Sequence, residues 1–143
     1  MTIPRWPTDL PQRCLREPFG LTLPDGRLTT KMERGPSKRR RASSAATAPV
    51  TAAIAVPVDL AVRFRRFWDV DTGGGCLPFL LPDQLVDKRP LIAAAGVPVL
   101  DASGQPLLIT SWWLVMFSGD DAPAYKNTAG FWWQISFQLE ILP

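Results

Sequence analysis

Histidine is absent from this 143-residue chain, and cysteine occurs only at Cys14 and Cys76. The first absence excludes Ser-His-Asp and Cys-His nucleophile pairs and every imidazole metal ligand. The second excludes zinc spacings of the CxxC kind, since the two thiols lie far apart in the chain. Long apolar runs are missing as well. "LIAAAGVPVL" and "LLITSWWLVMF" fall well short of the roughly 20 residues that cross a bilayer, and "MTIPRWPTDLPQ" lacks the apolar stretch of a leader peptide. These lacks lead us to expect a protein made in the cytosol, without membrane contact, whose thiols are free and buried.

Phosphate and carboxylate chemistry is just as thinly represented. The glycine run "GGGC" has no Gly-Lys-Ser/Thr ending and follows a helical segment instead of opening one. Asp120 and Asp121 sit in a polar loop and read as a solvated turn, while Asp69 and Asp71 read as turn formers at a helix end. The expectation is no catalytic residue, no cofactor, no metal and no small-molecule substrate, hence not an enzyme.

What the chain does hold is apolar and aromatic. Hydrophobic residues make up 46% and charged residues 20%, which are globular values, and the length suits a single domain over 1–143. Pro 15 and Gly 10 argue against an all-helical fold and for short strands joined by turns. Six tryptophans and seven phenylalanines exceed the needs of a small core, and aromatics are enriched at protein interfaces. Charge is uneven: residues 1–66 carry 13 basic and 5 acidic groups (+8), residues 67–143 carry 3 and 8 (−5). This is compatible with a nucleic-acid patch, with one face meeting the opposite face of a neighbour, or with charges that average out over the folded surface.

Along the chain, Pro4, Pro7, Pro11 and Pro18 make residues 1–18 an extended arm, held by Trp6 and Leu10. Pro24-Asp25-Gly26 is a turn signal, with "FGLTL" and "RLTTKM" expected to pair across it. Val50, Ala52, Ile54 and Val56 alternate as one face of a strand. One helix is expected at about 59–70, with Asp59 as N-cap and Leu60, Phe64, Phe67 and Trp68 on its buried side. Residues 19–143 form a β-rich core in which 83–117 is a long, insertion-like hairpin region, with "DASGQP" as a turn. No internal repeat is evident. The last strand, "FWWQISFQLEILP", turns Trp133 to Ile141 inward. Its other side (Trp132, Gln134, Gln138, Glu140) or its edge faces a neighbour, a lumen or solvent.

The basic run "KMERGPSKRRR" sets Lys31, Arg34, Lys38, Arg39, Arg40 and Arg41 against a single acid, Glu33. Such a cluster attracts phosphate, yet the motifs of a nucleic-acid reader are lacking. Arginine is also the preferred cation for ion pairs between proteins, so a protein contact, a solvated loop and a nucleic-acid contact all stand open, in that order.

The order of these motifs resembles a family of small tail proteins from long-tailed phages and prophages, similar to the lambda minor tail protein M and distal tail protein group. Thr30, Met32, Gly35, Pro36, Lys38, Arg40 and Arg41 match its basic stretch, and Phe67 and Trp68 its helix end. Gly74, Gly75, Pro78 and Phe79 match its glycine segment, and Trp133, Ile135, Ser136, Leu139, Glu140, Leu142 and Pro143 its closing strand. Residues 83–111 depart from the pattern, being longer and more apolar than the usual hairpin. The resemblance implies a mainly β fold, a β-sandwich or split β-barrel with one short helix. It also implies a homo-oligomeric ring, a hexamer, at the distal end of the tail, partnered by the tail tube and tail hub or tip proteins, with genomic DNA only as passing cargo. Trp6, Lys31, Arg34, Lys38, Arg39, Arg40, Arg41, Trp132, Gln134 and Glu140 are then the candidate subunit contacts, and the chain belongs to the virion after synthesis in the bacterial cytoplasm. The alternatives are a basic nucleic-acid-binding accessory protein and a head–tail completion ring resembling a tail terminator.

Overall fold

The computed structural model describes residues 2–143. In chain order the elements are β1 (Gly20–Leu21), β2 (Arg27–Thr30), β3 (Lys38–Arg41), β4 (Ala48–Pro57) and α1 (Val58–Arg66), which a π-helical turn (Phe67–Asp71) continues. Then come β5 (Phe79–Pro82), β6 (Trp112–Phe117), β7 (Ala124–Ala129) and β8 (Trp132–Ile141). With 37% strand and 10% helix the chain is mainly β with one short helix, as expected, and no closed barrel is found. The main sheet runs β1-β4-β8-β6-β5, with β7 also on β8; β2 and β3 pair only with each other.

Alternation builds the centre of this sheet. Val50, Ala52, Ile54 and Val56 of β4 are buried, and so are Ile135, Phe137 and Leu139 of β8. The register sets Val50 opposite Leu139, Ala52 opposite Phe137 and Ile54 opposite Ile135, so the small alanine leaves room beside the ring. β8 offers no edge to a neighbour, contrary to one of the sequence expectations. β4 pairs along all of one side, while β7 takes Trp132–Ser136 and β6 takes Leu139–Ile141 on the other.

The helix begins at Val58, so Asp59 lies in its first turn and not at the cap, where Pro57 stands without a side-chain bond. There its carboxylate still faces the positive end of the helix dipole. Ala61, Phe64 and Phe67 are buried, and Phe64 stacks on Phe137 with centroids 5.8 Å apart.

Trp6 completes the core. Only 2% exposed, it meets Phe64, Phe67, Phe79 and Phe137 at 5.6–6.1 Å, and its indole N–H donates to the Pro11 carbonyl at 3.0 Å. The arm crosses the inner face of the sheet. The Trp6 amide bonds Leu80 of β5 (2.8 Å) and the Leu15 amide bonds Ala53 of β4 (2.7 Å). Trp6 is therefore a core residue and not a subunit contact: four neighbouring rings and a backbone acceptor already take up its surface.

Two further expectations change. The turn at Pro24-Asp25-Gly26 does not pair the segments beside it. β1 pairs with β4, and β2 pairs instead with the basic stretch β3. The chain also carries an internal repeat that the sequence reading missed: "RPLIAAAG", "VPVLDASG" and "QPLLITSW" from residue 89 to 112. These three octads close into a triangle. Leu91 donates its amide to Leu107, Leu107 to Val99 and Val99 to Leu91, at 2.8–2.9 Å. At the corners Ala93 donates to Val97, Asp101 to Gln105 and Ile109 to Arg89, at 2.8–2.9 Å. Two corners turn through Gly96 (φ 76°) and Gly104 (φ 80°), a backbone region that favours glycine; at the third the chain enters and leaves. The triangle is thus not a simple hairpin. Buried Asp83 and Asp87 hold its root, accepting from the Ser111 hydroxyl (3.0 Å) and amide (2.9 Å).

Replacing Trp6 by alanine is expected to lower unfolding free energy by about 3–5 kcal/mol, because it empties a fully enclosed ring site. Urea denaturation followed by far-UV circular dichroism measures this. A loss below about 1 kcal/mol would show that the arm does not pack as described.

Candidate functional site

The basic run folds as half of a two-stranded ribbon. β2 and β3 are exposed at every position, and neither packs against another strand or helix. The register sets Arg27 opposite Arg41, Leu28 opposite Arg40, Thr29 opposite Arg39 and Thr30 opposite Lys38. Cross-strand partners share a face, so Arg27, Thr29, Arg39 and Arg41 lie on one side and Leu28, Thr30, Lys38 and Arg40 on the other. Arg27 is paired with Asp25 at 2.8 Å, and hydrogen bonds from Arg27 hold that carboxyl down at about 2. Among the described residues Lys31, Arg34, Lys38, Arg39, Arg40 and Arg41 form no ion pair. Lys38, Arg39, Arg40 and Arg41 thus ride on both faces of a free-standing ribbon, which the sequence did not reveal, while Lys31 and Arg34 lie in the segment joining its strands.

At the ribbon's root the Gly26 carbonyl accepts from the amides of Ala42 (2.8 Å) and Ser43 (3.1 Å). Backbone approaches so closely that a Cβ on residue 26 would collide with the Ser43 carbonyl. A groove of about 830 Å³ opens beside this crossing, lined by Leu21, Leu23, Asp25, Arg27, Arg41 and Ser43 among others.

A second concave feature went unseen in the sequence because its parts come from four segments. Two adjoining hollows of about 220 Å³ each share Trp68, Ala122 and Pro123. Phe117 and Gln138 line one, Phe64 and Tyr125 the other. Asp120 and Asp121 rim the first and Asp69 the second. The π-helical turn carries Trp68 into this place, where it meets Phe117 edge-on at 4.8 Å. Asp69 pairs loosely with Arg65 at 3.7 Å, while Asp120 and Asp121 form no ion pair among the described residues. Burial and the nearby Asp69 carboxylate raise the Tyr125 phenol, Arg65 opposing them, and its hydroxyl donates to the Ala61 carbonyl at 3.0 Å.

The candidates on β8 lie away from the ribbon. Trp132 is half exposed beside the freely exposed Phe131, whereas Gln134 and Glu140 are half buried. Among the described residues no group of three or more His, Cys, Asp or Glu could hold a metal ion, and no helix is long and apolar enough to cross a membrane. The two thiols are free, but only Cys14 is partly buried; Cys76 is exposed, against the expectation for both. Compared with known proteins, the chain matches no family model, no curated protein and no solved structure.

Gly26→Ala is expected to splay the ribbon root without touching the core. Amide exchange at Ala42 and Ser43 should rise at least tenfold, with the global unfolding midpoint little changed; unaltered exchange would refute the close crossing. Burial pushes the Cys14 thiol up to about 12 from 9.0, Arg13 opposing it more weakly. A raised folded value favours the protonated thiol. Its contribution to stability is therefore complete below about 9 and is lost as pH rises towards about 12. An aromatic disulfide reagent at pH 8 should label Cys76 at once and Cys14 only on unfolding; equal labelling rates would contradict this burial.

Proposed function

We propose that this chain is a structural virion protein, a distal or minor tail component of a long-tailed phage, which closes into a ring joining the tail tube to the tail-tip hub. The observation that carries this reading is the β2–β3 ribbon. A two-stranded ribbon is marginal in water by itself, and this one exposes both outer edges together with unpaired cations on both faces. Such an element gains its stability from a partner. The motif order described above supplies the partner class, because in the family it resembles the same stretch belongs to a ring-forming protein. The excess of positive charge in one part of the chain and of negative charge in the other suits a head-to-tail contact, in which unlike patches meet and rotation closes the circle.

The nucleic-acid reading draws on the same free cations, and one experiment separates the two. Native mass spectrometry of the purified protein should give a closed oligomer of the 15.8 kDa chain, and antibodies against it should decorate the distal end of phage tails in electron micrographs. A monomer that binds duplex DNA with a steep salt dependence, and is absent from purified tails, would replace this proposal with the alternative.

A further inference from the structure

The ribbon and the aromatic cleft are distinct surfaces, separated across the sheet by β4 and β8. The ribbon is inserted between β1 and β4, at the edge that β1 forms, whereas the cleft is built on the loop joining β6 to β7, beyond β8. The ribbon packs against no strand or helix of its own chain. The chemistry of the two surfaces matches. A guanidinium is planar and weakly hydrated, so it stacks on an aromatic face while its N–H groups bond carboxylates at the rim. The cleft offers the partly exposed Trp68 and Tyr125 as walls and Asp120 and Asp121 as unpaired acids, while Arg65 at the second hollow is already paired with Asp69. The ribbon offers Arg39, Arg40 and Arg41, unpaired and exposed.

We infer that the β2–β3 ribbon of one copy docks into the Trp68–Asp121 cleft of the next, arginine against indole and carboxylate. The inference rests on the ring reading above and specifies its interface. Two complementary and different surfaces on one chain make a heterologous contact that passes from copy to copy, and the ribbon packs against no strand or helix of its own chain. Like surfaces repel, ribbon from ribbon and cleft from cleft, which disfavours a two-fold dimer through either.

The test is a charge exchange on the full chain. Variant one reverses the ribbon (R39E, R40E, R41E), variant two reverses the cleft (D120R, D121R), and the third is an equimolar mixture of both. All changed residues are exposed, so far-UV circular dichroism and the unfolding midpoint should match the wild type. Sedimentation velocity should show each variant alone losing roughly 100-fold or more in self-association, since like charges are then brought together. In the mixture each reversed ribbon meets a reversed cleft at one type of junction, and association should return. Trp68→Ala, which removes the stacking wall and leaves all charges, should weaken association about tenfold. If the wild-type ring forms and both reversed variants still form it, the ribbon–cleft pairing is wrong while the ring reading stands. A wild-type chain that remains monomeric overturns both, as does a monomer whose DNA binding alone responds to the ribbon reversal. A reversed ribbon that misfolds leaves the cleft variant and Trp68→Ala to decide.

Discussion

The packing of an arm-borne indole against helix and sheet is the contact on which the rest of the molecule depends. Trp6 is surrounded by Phe64 and Phe67 from the helical segment, Phe79 from β5 and Phe137 from β8. Each aromatic pair adds about 0.5–1.5 kcal/mol beyond the area it buries, and the rings interlock at angles that fix their neighbours' orientation. A sheet this small has one face to cover and only one short helix to cover it. The proline-rich arm supplies the missing part of that layer. Its prolines suit it to lie across a sheet as a strap that turns at 8–10 and 16–18, since they leave few amides needing partners inside the core.

With the inner face closed by helix and arm, the molecule carries its remaining features outward. The ribbon and the three-octad triangle both emerge from the sheet, each organised by backbone hydrogen bonds with a few carboxylates at turns and roots. Their surfaces differ in kind. The ribbon is cationic, whereas the triangle presents Ile92, Leu100 and Leu108, each more than half exposed, at equivalent positions of its repeats. The triangle's cyclic bonds satisfy its central amides without a surrounding sheet, so a mostly exposed segment keeps a defined shape.

The cleft arises from a local departure in the helix. A regular α-helix would carry residues 67–71 round at 3.6 per turn. The π-helical turn shifts that spacing and brings Trp68 over Phe117 while Phe67 stays fully buried. The acids at its rim belong to the helix end and to the β6–β7 loop, elements remote in sequence that the sheet brings together.

Periodicity by itself determined the β-rich class, the single helix and the inward faces of β4 and β8, because alternation with period two is a local property that burial of one face enforces. Proline content marked the arm that Trp6 and Leu10 hold, and composition marked the cations of 31–41. Tertiary structure decided which segments pair. Turn chemistry at Pro24-Asp25-Gly26 suits a hairpin, but β1 gains more by joining β4 on the main sheet, which left β2 to the arginine strand. It likewise decided that the last strand is central instead of an edge, that the octads close on themselves, and that Trp68 meets Asp120 and Asp121 at one cleft. These are pairings between distant residues, fixed by competition for backbone partners and buried area across the whole chain, and no local pattern of residue types encodes the winner of that competition.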